Sequence, residues 1–257
     1  MRVLFVGDVV GPRAVAWLAE RLPSLRAEHA VDLAIVDAEN SAADGASMSL
    51  TAVERLLAAG ADVVSGGNHA FDGGEYEAVL GHERVLRPLN VADGVPGRGM
   101  IELEVAGEPV RVVVLADRLA LEDAPAFAHM ALAPHAAFER LPPFAGTAIV
   151  EMHALSVAAK QSLAHALDGR VAAVLGTHTH EPTIELHLLA GGTALVSEVG
   201  MTGPRGGVQG MDPQAFAAWA RGADPAGLSA RPGDGEIVLG AVLLELEHGR
   251  TRAIRRV

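Results

Sequence analysis

Cysteine is absent from the 257 residues. That excludes disulfides, thiolate metal ligands and cysteine nucleophiles alike. Aromatic residues make up only 4% of the chain, too few for the stacking platforms on which single-stranded nucleic acid is bound. Positive charge is scarce as well: 20 Lys and Arg face 32 Asp and Glu, a net charge of -12. Long polyanions are held largely by Lys and Arg on their phosphates, so no long nucleic acid is expected as a partner. A small phosphate ligand stays open, because bound divalent cations invert the local field. No apolar run approaches the roughly 18 residues of a membrane span. The N-terminus enters a strand directly, without the basic and then apolar stretches of a secretory leader. The expectation is a cytoplasmic protein without a membrane partner; whether it forms a homo-oligomer is left open.

What the chain does have is a core-forming half: 50% of its residues are hydrophobic, enough for one large α/β domain spanning residues 1–257. Its most informative stretch is Gly176-Thr177-His178-Thr179-His180. The preceding Val171–Leu175 reads as a buried strand. Side chains alternate along an extended segment, so His178 and His180 are expected to project together from its end. Neutral imidazole is the commonest side-chain metal ligand.

The same placement recurs along the chain. Arg2–Val6 predicts a strand ending in Gly7-Asp8-Val9-Val10-Gly11, with Pro12 opening a helix striped by Val15, Leu18, Leu22 and Leu25. A second strand over 32–37 runs into Glu39-Asn40, and Thr51 with Glu54 predicts a capping box for the helix that Gly60 closes. A third over 62–65 runs into Gly66-Gly67-Asn68-His69. Residues 99–117 predict a hairpin turning at Gly107-Glu108, and 124–144 one short helix carrying His129 and His135 on the surface. A strand over 147–152 delivers His153, and a helix with Ala159, Leu163 and Leu167 on one face follows it. Short strands over 184–188 and 193–196, a helix over 213–220 and a hairpin of 236–247 against 251–257 complete the reading. Open α/β sheets place ligands at the carboxyl ends of their strands, which is where Asp8, Glu39, Asn40, Asn68, His69, His153, His178 and His180 all fall.

This ordered set resembles the calcineurin-like metallophosphoesterases, and within them the YmdB-type phosphodiesterases. The matching pieces are GDVVG, ENSA, GGNHAFD, RPLN (Arg87–Asn90), GTHTH and VGMTGP, in order from Asp8 to Pro204. The resemblance implies mixed β-sheets in a four-layer αββα sandwich. It also implies two metal ions, one on Asp8, Glu39, Asn40 and His180, the other on Glu39, Asn68, His153 and His178, with Glu39 bridging. Oxygen and imidazole donors without thiolate suit Fe or Mn, with Zn an alternative. Two ions about 3.5–4 Å apart clamp a phosphoryl group and the hydroxide that attacks it, and His69 takes the place of the family's proton donor. The implied activity is hydrolysis of small cyclic nucleotides, the 2′,3′-cyclic monophosphates in particular. A phosphomonoesterase or nucleotidase, or a regulatory metal- or nucleotide-binding protein with weak catalysis, are the alternatives. Two departures stand out. Where the family reads Asp-x-His-Ala-Glu, this chain has Glu151-Met152-His153-Ala154-Leu155, which loses a nearby carboxylate. The Gly-Arg pair after GDVVG is replaced by Pro12-Arg13.

Overall fold

The computed structural model describes residues 1–224 and 230–257. The first half alternates strand and helix: β1 (Arg2–Val6), α1 (Gly11–His29), β2 (Leu33–Asp37), α2 (Leu50–Ala58), β3 (Val63–Ser65), α3 (Tyr76–Gly81) and β4 (Val85–Leu86). A hairpin of β5 (Met100–Val105) and β6 (Glu108–Ala116) follows, then α4 (Pro134–Glu139), β7 (Thr147–His153), α5 (Val157–Ala166) and β8 (Ala173–Thr177). The chain ends with β9 (His187–Leu188), β10 (Ala194–Val196), β11 (Gly203–Pro204), α6 (Pro213–Ala220), β12 (Ile237–Val238), β13 (Ala241–Glu247) and β14 (Arg250–Arg256).

Two six-stranded sheets result, ordered β14-β13-β1-β2-β3-β4 and β5-β6-β7-β8-β10-β9. In the first, β1 through β4 are parallel and the C-terminal hairpin is added antiparallel to β1. In the second, β6, β7, β8 and β10 are parallel. Parallel strands buried on both faces read as continuous apolar runs, and β1 and β2 do so, whereas β7 is equally buried but carries Glu151 and His153. Their alternate residues serve different layers. Val3, Phe5, Leu33 and Ile35 meet Val112, Val114, Ile149 and Leu175 between the sheets. Leu4, Val6, Ala34 and Val36 pack outward on α1 and α2 through Leu18, Leu22 and Leu56. Val113, Val150 and Val174 pack on the other side against Leu163 and Ala164 of α5. The layering is αββα.

Three local expectations are corrected. Helix α2 starts at Leu50 behind an extended Ser49, with no side-chain cap, so Thr51 and Glu54 lie within the helix instead of forming a capping box. The C-terminal hairpin begins only at Ala241. Ile237 and Val238 instead pair with Gly203 and Pro204 as a separate small ribbon. Ile184 is almost wholly exposed and outside any strand, because β9 is confined to His187 and Leu188.

Parallel strands have their carboxyl ends at the same edge, and here both sheets bring theirs to one rim. Asn90, beyond β4, stitches the sheets there: it donates to Ala116 O at 2.8 Å and accepts from Ala116 N at 2.9 Å. Within the RPLN segment, Arg87 caps the carbonyls of Pro88, Val95, Pro96 and Gly97. That segment is therefore structural.

Candidate metal centre

At the shared rim the turns after β1, β2, β3, β7 and β8 converge, bringing Asp8, Glu39, Asn68, His153, His178 and His180 together. Asn40 stands beside them. Asp8, Glu39, Asn68 and His153 are 1% exposed or less. Among the described residues two close-packed groups of ligand atoms emerge: Glu39 with His153 and His178, and Asp8 with Asp37 and His153, each within 4.8 Å of one another. His153 Nε2 lies 2.9 Å from Asn68 Oδ1 and 3.3 Å from Glu39 Oε2, so Asn68 belongs with the first group. His180 Nε2 lies 3.6 Å from Asp8 Oδ1.

Backbone geometry explains the glycines of GGNHAFD. A Cβ on Gly67 would fall inside the His153 ring. Its amide, with that of His69, donates to Glu39 Oε2 at 2.8 and 3.3 Å, which orients that carboxylate.

The expectation that His178 and His180 project from an extended segment is not met. Strand β8 ends at Thr177, and both histidines take positive φ, 93° and 64°. Such backbone costs on the order of 1–3 kcal/mol per residue and persists only where the surroundings over-determine it. Here they do. His178 N donates to the Asp8 carboxylate at 3.2 and 3.4 Å. The amide and hydroxyl of Thr179 both donate to Glu198 Oε2, at 3.0 and 2.6 Å, and Lys160 Nζ meets the same oxygen at 2.8 Å. Met201 N donates to His180 O at 3.0 Å, while Thr202 N reaches Asp8 O at 3.0 Å. VGMTGP is thus the strap that joins GTHTH to GDVVG.

One tautomer follows directly. His180 Nδ1 sits 2.8 Å from the carbonyl oxygen of Gln209, which only accepts. Nδ1 therefore carries the proton, and the Nε2 lone pair faces Asp8.

Electrostatics point the same way. Burial above all, with Glu198, Glu39 and Glu151 adding and His180 opposing, pushes Asp8 up to about 8. Burial likewise raises Glu39 to about 7, although His69 and the Gly67 and His69 amides pull it down. Burial lowers His178 to about 4, helped by His180 and Lys160, and holds His153 well below the usual imidazole range. Neutral imidazoles beside carboxylates short of counter-charge are the donor set that a metal cation satisfies. Asn40 agrees: its amide nitrogen donates to Gly45 O at 2.8 Å, leaving a buried Oδ1 without a hydrogen bond among the described residues. The residues present fit oxygen- and nitrogen-bound metal.

His69 behaves differently from its neighbours. Its side chain is 26% exposed, and Nδ1 lies 2.8 Å from Asp72 Oδ2. Burial alone would lower its pKa, but Asp72, Glu39 and Asp123 raise it to about 8. His129 and His135 lie on the surface as expected.

Several residues escaped the sequence reading. Asp37 and Glu151 are fully buried beneath the centre with their carboxyl groups facing, both raised chiefly by burial. Strand alternation could have found Glu151, two residues before His153 and so on the same face. Asp72 was visible as the last residue of GGNHAFD. Lys160 and Glu198 carried no local signal. Of the two departures, the Leu155 side chain is half exposed, while Asp117 accepts the Leu155 and Ser156 amides. Arg13 donates to Gly233 O and Gly235 O, away from the cluster.

Two mixed sheets with helices outside, and a carboxylate–imidazole cluster where the carboxyl ends of their strands meet, define a calcineurin-like phosphoesterase fold. Residues 4–257 match the profile of the family described as YmdB-like protein, and the chain belongs to that family. It is 31% identical over 258 residues, 99% of this chain and 95% of the relative, to a 2′,3′-cyclic-nucleotide 2′-phosphodiesterase of Bacillus subtilis strain 168. A crystal structure of a hypothetical protein from Thermus thermophilus superposes with a TM-score of 0.90 at 37% identity, covering 100% of this chain and 98% of that one. A structure described as a novel phosphatase from Mycoplasma pneumoniae superposes with a TM-score of 0.87 at 26% identity, covering 100% of this chain and 92% of that one.

Proposed function

We propose that this protein is a metal-dependent phosphodiesterase that opens small cyclic nucleotides, the 2′,3′-cyclic monophosphates foremost. One observation carries the reading: a partly exposed histidine held by a carboxylate stands beside a buried cluster of neutral imidazoles and carboxylates. The diester preference draws further support from the Bacillus relative's activity.

Asp8, Glu39, Asn40 and His180 would hold one ion, and Glu39, Asn68, His153 and His178 a second, with Glu39 shared. Iron or manganese suits these donors, with zinc an alternative. Bound metal supplies Lewis acidity toward the phosphoryl oxygens and an activated water nucleophile.

The chain's own residues do the rest. Attack at phosphorus breaks the P–O2′ bond, and the departing ribose oxygen is a poor leaving group until protonated. Asp72 occupies Nδ1 of His69, which leaves Nε2 as the nitrogen that delivers a proton to O2′. The product is the nucleoside 3′-monophosphate. Buried walls on the other side keep bulk water from Asp8, Glu39 and His153.

The test is a substrate panel with manganese- or iron-loaded protein: 2′,3′-cyclic AMP, 3′,5′-cyclic AMP, AMP and a nitrophenyl phosphate monoester. Fast conversion of the 2′,3′-cyclic substrate to 3′-AMP, with AMP slow, is expected. The phosphatase description of the Mycoplasma structure favours a second reading, monoester hydrolysis. Faster turnover of AMP than of any diester would establish it and overturn the first.

A further inference from the structure

The tautomer of His180 is settled by a backbone carbonyl; that of His153 is not. His153 ends β7 and pairs in register with Thr177 at the end of β8, while Glu151 pairs with Leu175 two residues earlier. Residues two apart on a strand share a face, so Glu151, His153 and Thr177 all point into the space between the sheets. There they make a chain of contacts. His153 Nδ1 lies 3.0 Å from Thr177 Oγ1, and Thr177 Oγ1 lies 3.0 Å from Glu151 Oε1. All three side chains are fully buried.

The hydroxyl has one proton to give. If it goes to Glu151, Thr177 must accept from His153 Nδ1–H, and Nε2 keeps its lone pair facing Glu39 and Asn68. If it goes to Nδ1 instead, the imidazole proton sits on Nε2, where Asn68 Oδ1 at 2.9 Å and Glu39 Oε2 at 3.3 Å would accept it, and it blocks coordination. The ring is closely confined: the His178 ring packs edge-on at 4.7 Å, and a Cβ on Gly67 would fall within 2.0 Å of the imidazole.

We propose that Thr177 and Glu151 are positioning residues that fix His153 in its metal-binding tautomer, with Thr177 donating to Glu151 and accepting from Nδ1. Neither touches substrate or metal. The proposal rests on the metal-centre reading above, and its test reads metal affinity and not turnover.

Manganese uptake by metal-stripped protein is measured by competition with a chelator for wild type, Thr177→Val, Thr177→Ser, Glu151→Met and the Thr177→Val/Glu151→Met double variant. Melting of each metal-free protein is followed in parallel. Outer hydrogen bonds of this kind are worth about 10–100-fold in metal affinity. Thr177→Val and Glu151→Met should each weaken uptake by about that factor, and Thr177→Ser should restore it. The double variant should be no worse than the poorer single, because both break one relay. Melting temperatures of the metal-free proteins should not follow this order. Wild-type affinity in Thr177→Val, equal losses in Val and Ser, or additive losses in the double variant would each overturn the proposal. A wild-type chain that takes up no metal sinks the metal-centre reading as well, so the two failures are distinguishable.

Discussion

At the scale of single residues, the site separates groups by exposure. Glu39, Asn68 and His153 are shut away from solvent, while the His69 side chain is 26% exposed. A ligand benefits from burial, because the surroundings hold it in place; a proton donor must meet the substrate. His69→Ala should therefore keep its metal while hydrolysis of a 2′,3′-cyclic nucleotide falls by about 10²–10⁴-fold. A nitrophenyl diester, whose leaving group departs as a stable anion, should lose far less. Asp72→Asn should follow the same pattern with a smaller loss, since the amide still touches Nδ1 but no longer favours the imidazolium. Elemental analysis with kinetics on the two substrates checks this. Equal losses on both substrates, or loss of metal, would remove His69 from the donor role.

Secondary-structure elements supply the restraint that single residues lack. Two alternate positions, His178 and His180, carry positive φ that neither would adopt alone. The peg between them is Thr179, held by Glu198 beyond β10 and, through it, by Lys160 of α5. Lys160 is fully buried, with Nζ 2.8 Å from Glu198 Oε2. Removing one partner of a buried pair leaves the other charge uncompensated. Lys160→Met should thus lower stability by about 3–5 kcal/mol, and a Lys160→Met/Glu198→Met double variant should regain a large part of it. Urea melts of the metal-free proteins measure both. The double variant should still bind metal poorly, because Thr179 has lost its acceptor. Full metal uptake by the double variant would show that the peg is dispensable.

Across the whole molecule, the centre joins the two sheets: Asp8, Glu39 and Asn68 come from the first, His153, His178 and His180 from the second. A cation held by both sets would be a cross-link between halves of the sandwich. Ligands that bind only the native state stabilise it by mass action, about 2.7 kcal/mol when present at 100 times Kd. Chelation should lower the melting temperature of the wild type, and manganese should restore it. Glu39→Gln should abolish most of that response, whereas changes at the exposed His135 and His248 should leave it intact. Differential scanning calorimetry with and without chelator decides. An identical metal response in all three variants would refute the shared role of Glu39.

The sequence by itself determined the strand–helix alternation from β1 to β3, because buried parallel strands require unbroken apolar runs and α1 requires the stripe of Val15, Leu18, Leu22 and Leu25; α3 and β4 were not read from it. It also determined which strand ends bear carboxylate, amide and imidazole groups, since those residues follow directly on the apolar runs. The family could be read from the same order of motifs. The tertiary structure alone decided the rest. Whether Asp72 or Glu198 matters depends on distances across the fold, and no local pattern encodes them. The backbone of His178 and His180 was misjudged for a related reason: φ at a loop residue is set by what its amides and side chain meet, here Asp8, Gln209 and, through Thr179, Glu198. Glu151 and Thr177 show the division most plainly. Alternation along one strand fixes the face of each, but only the register of β7 against β8 brings their oxygens to 3.0 Å and gives His153 a hydroxyl to face.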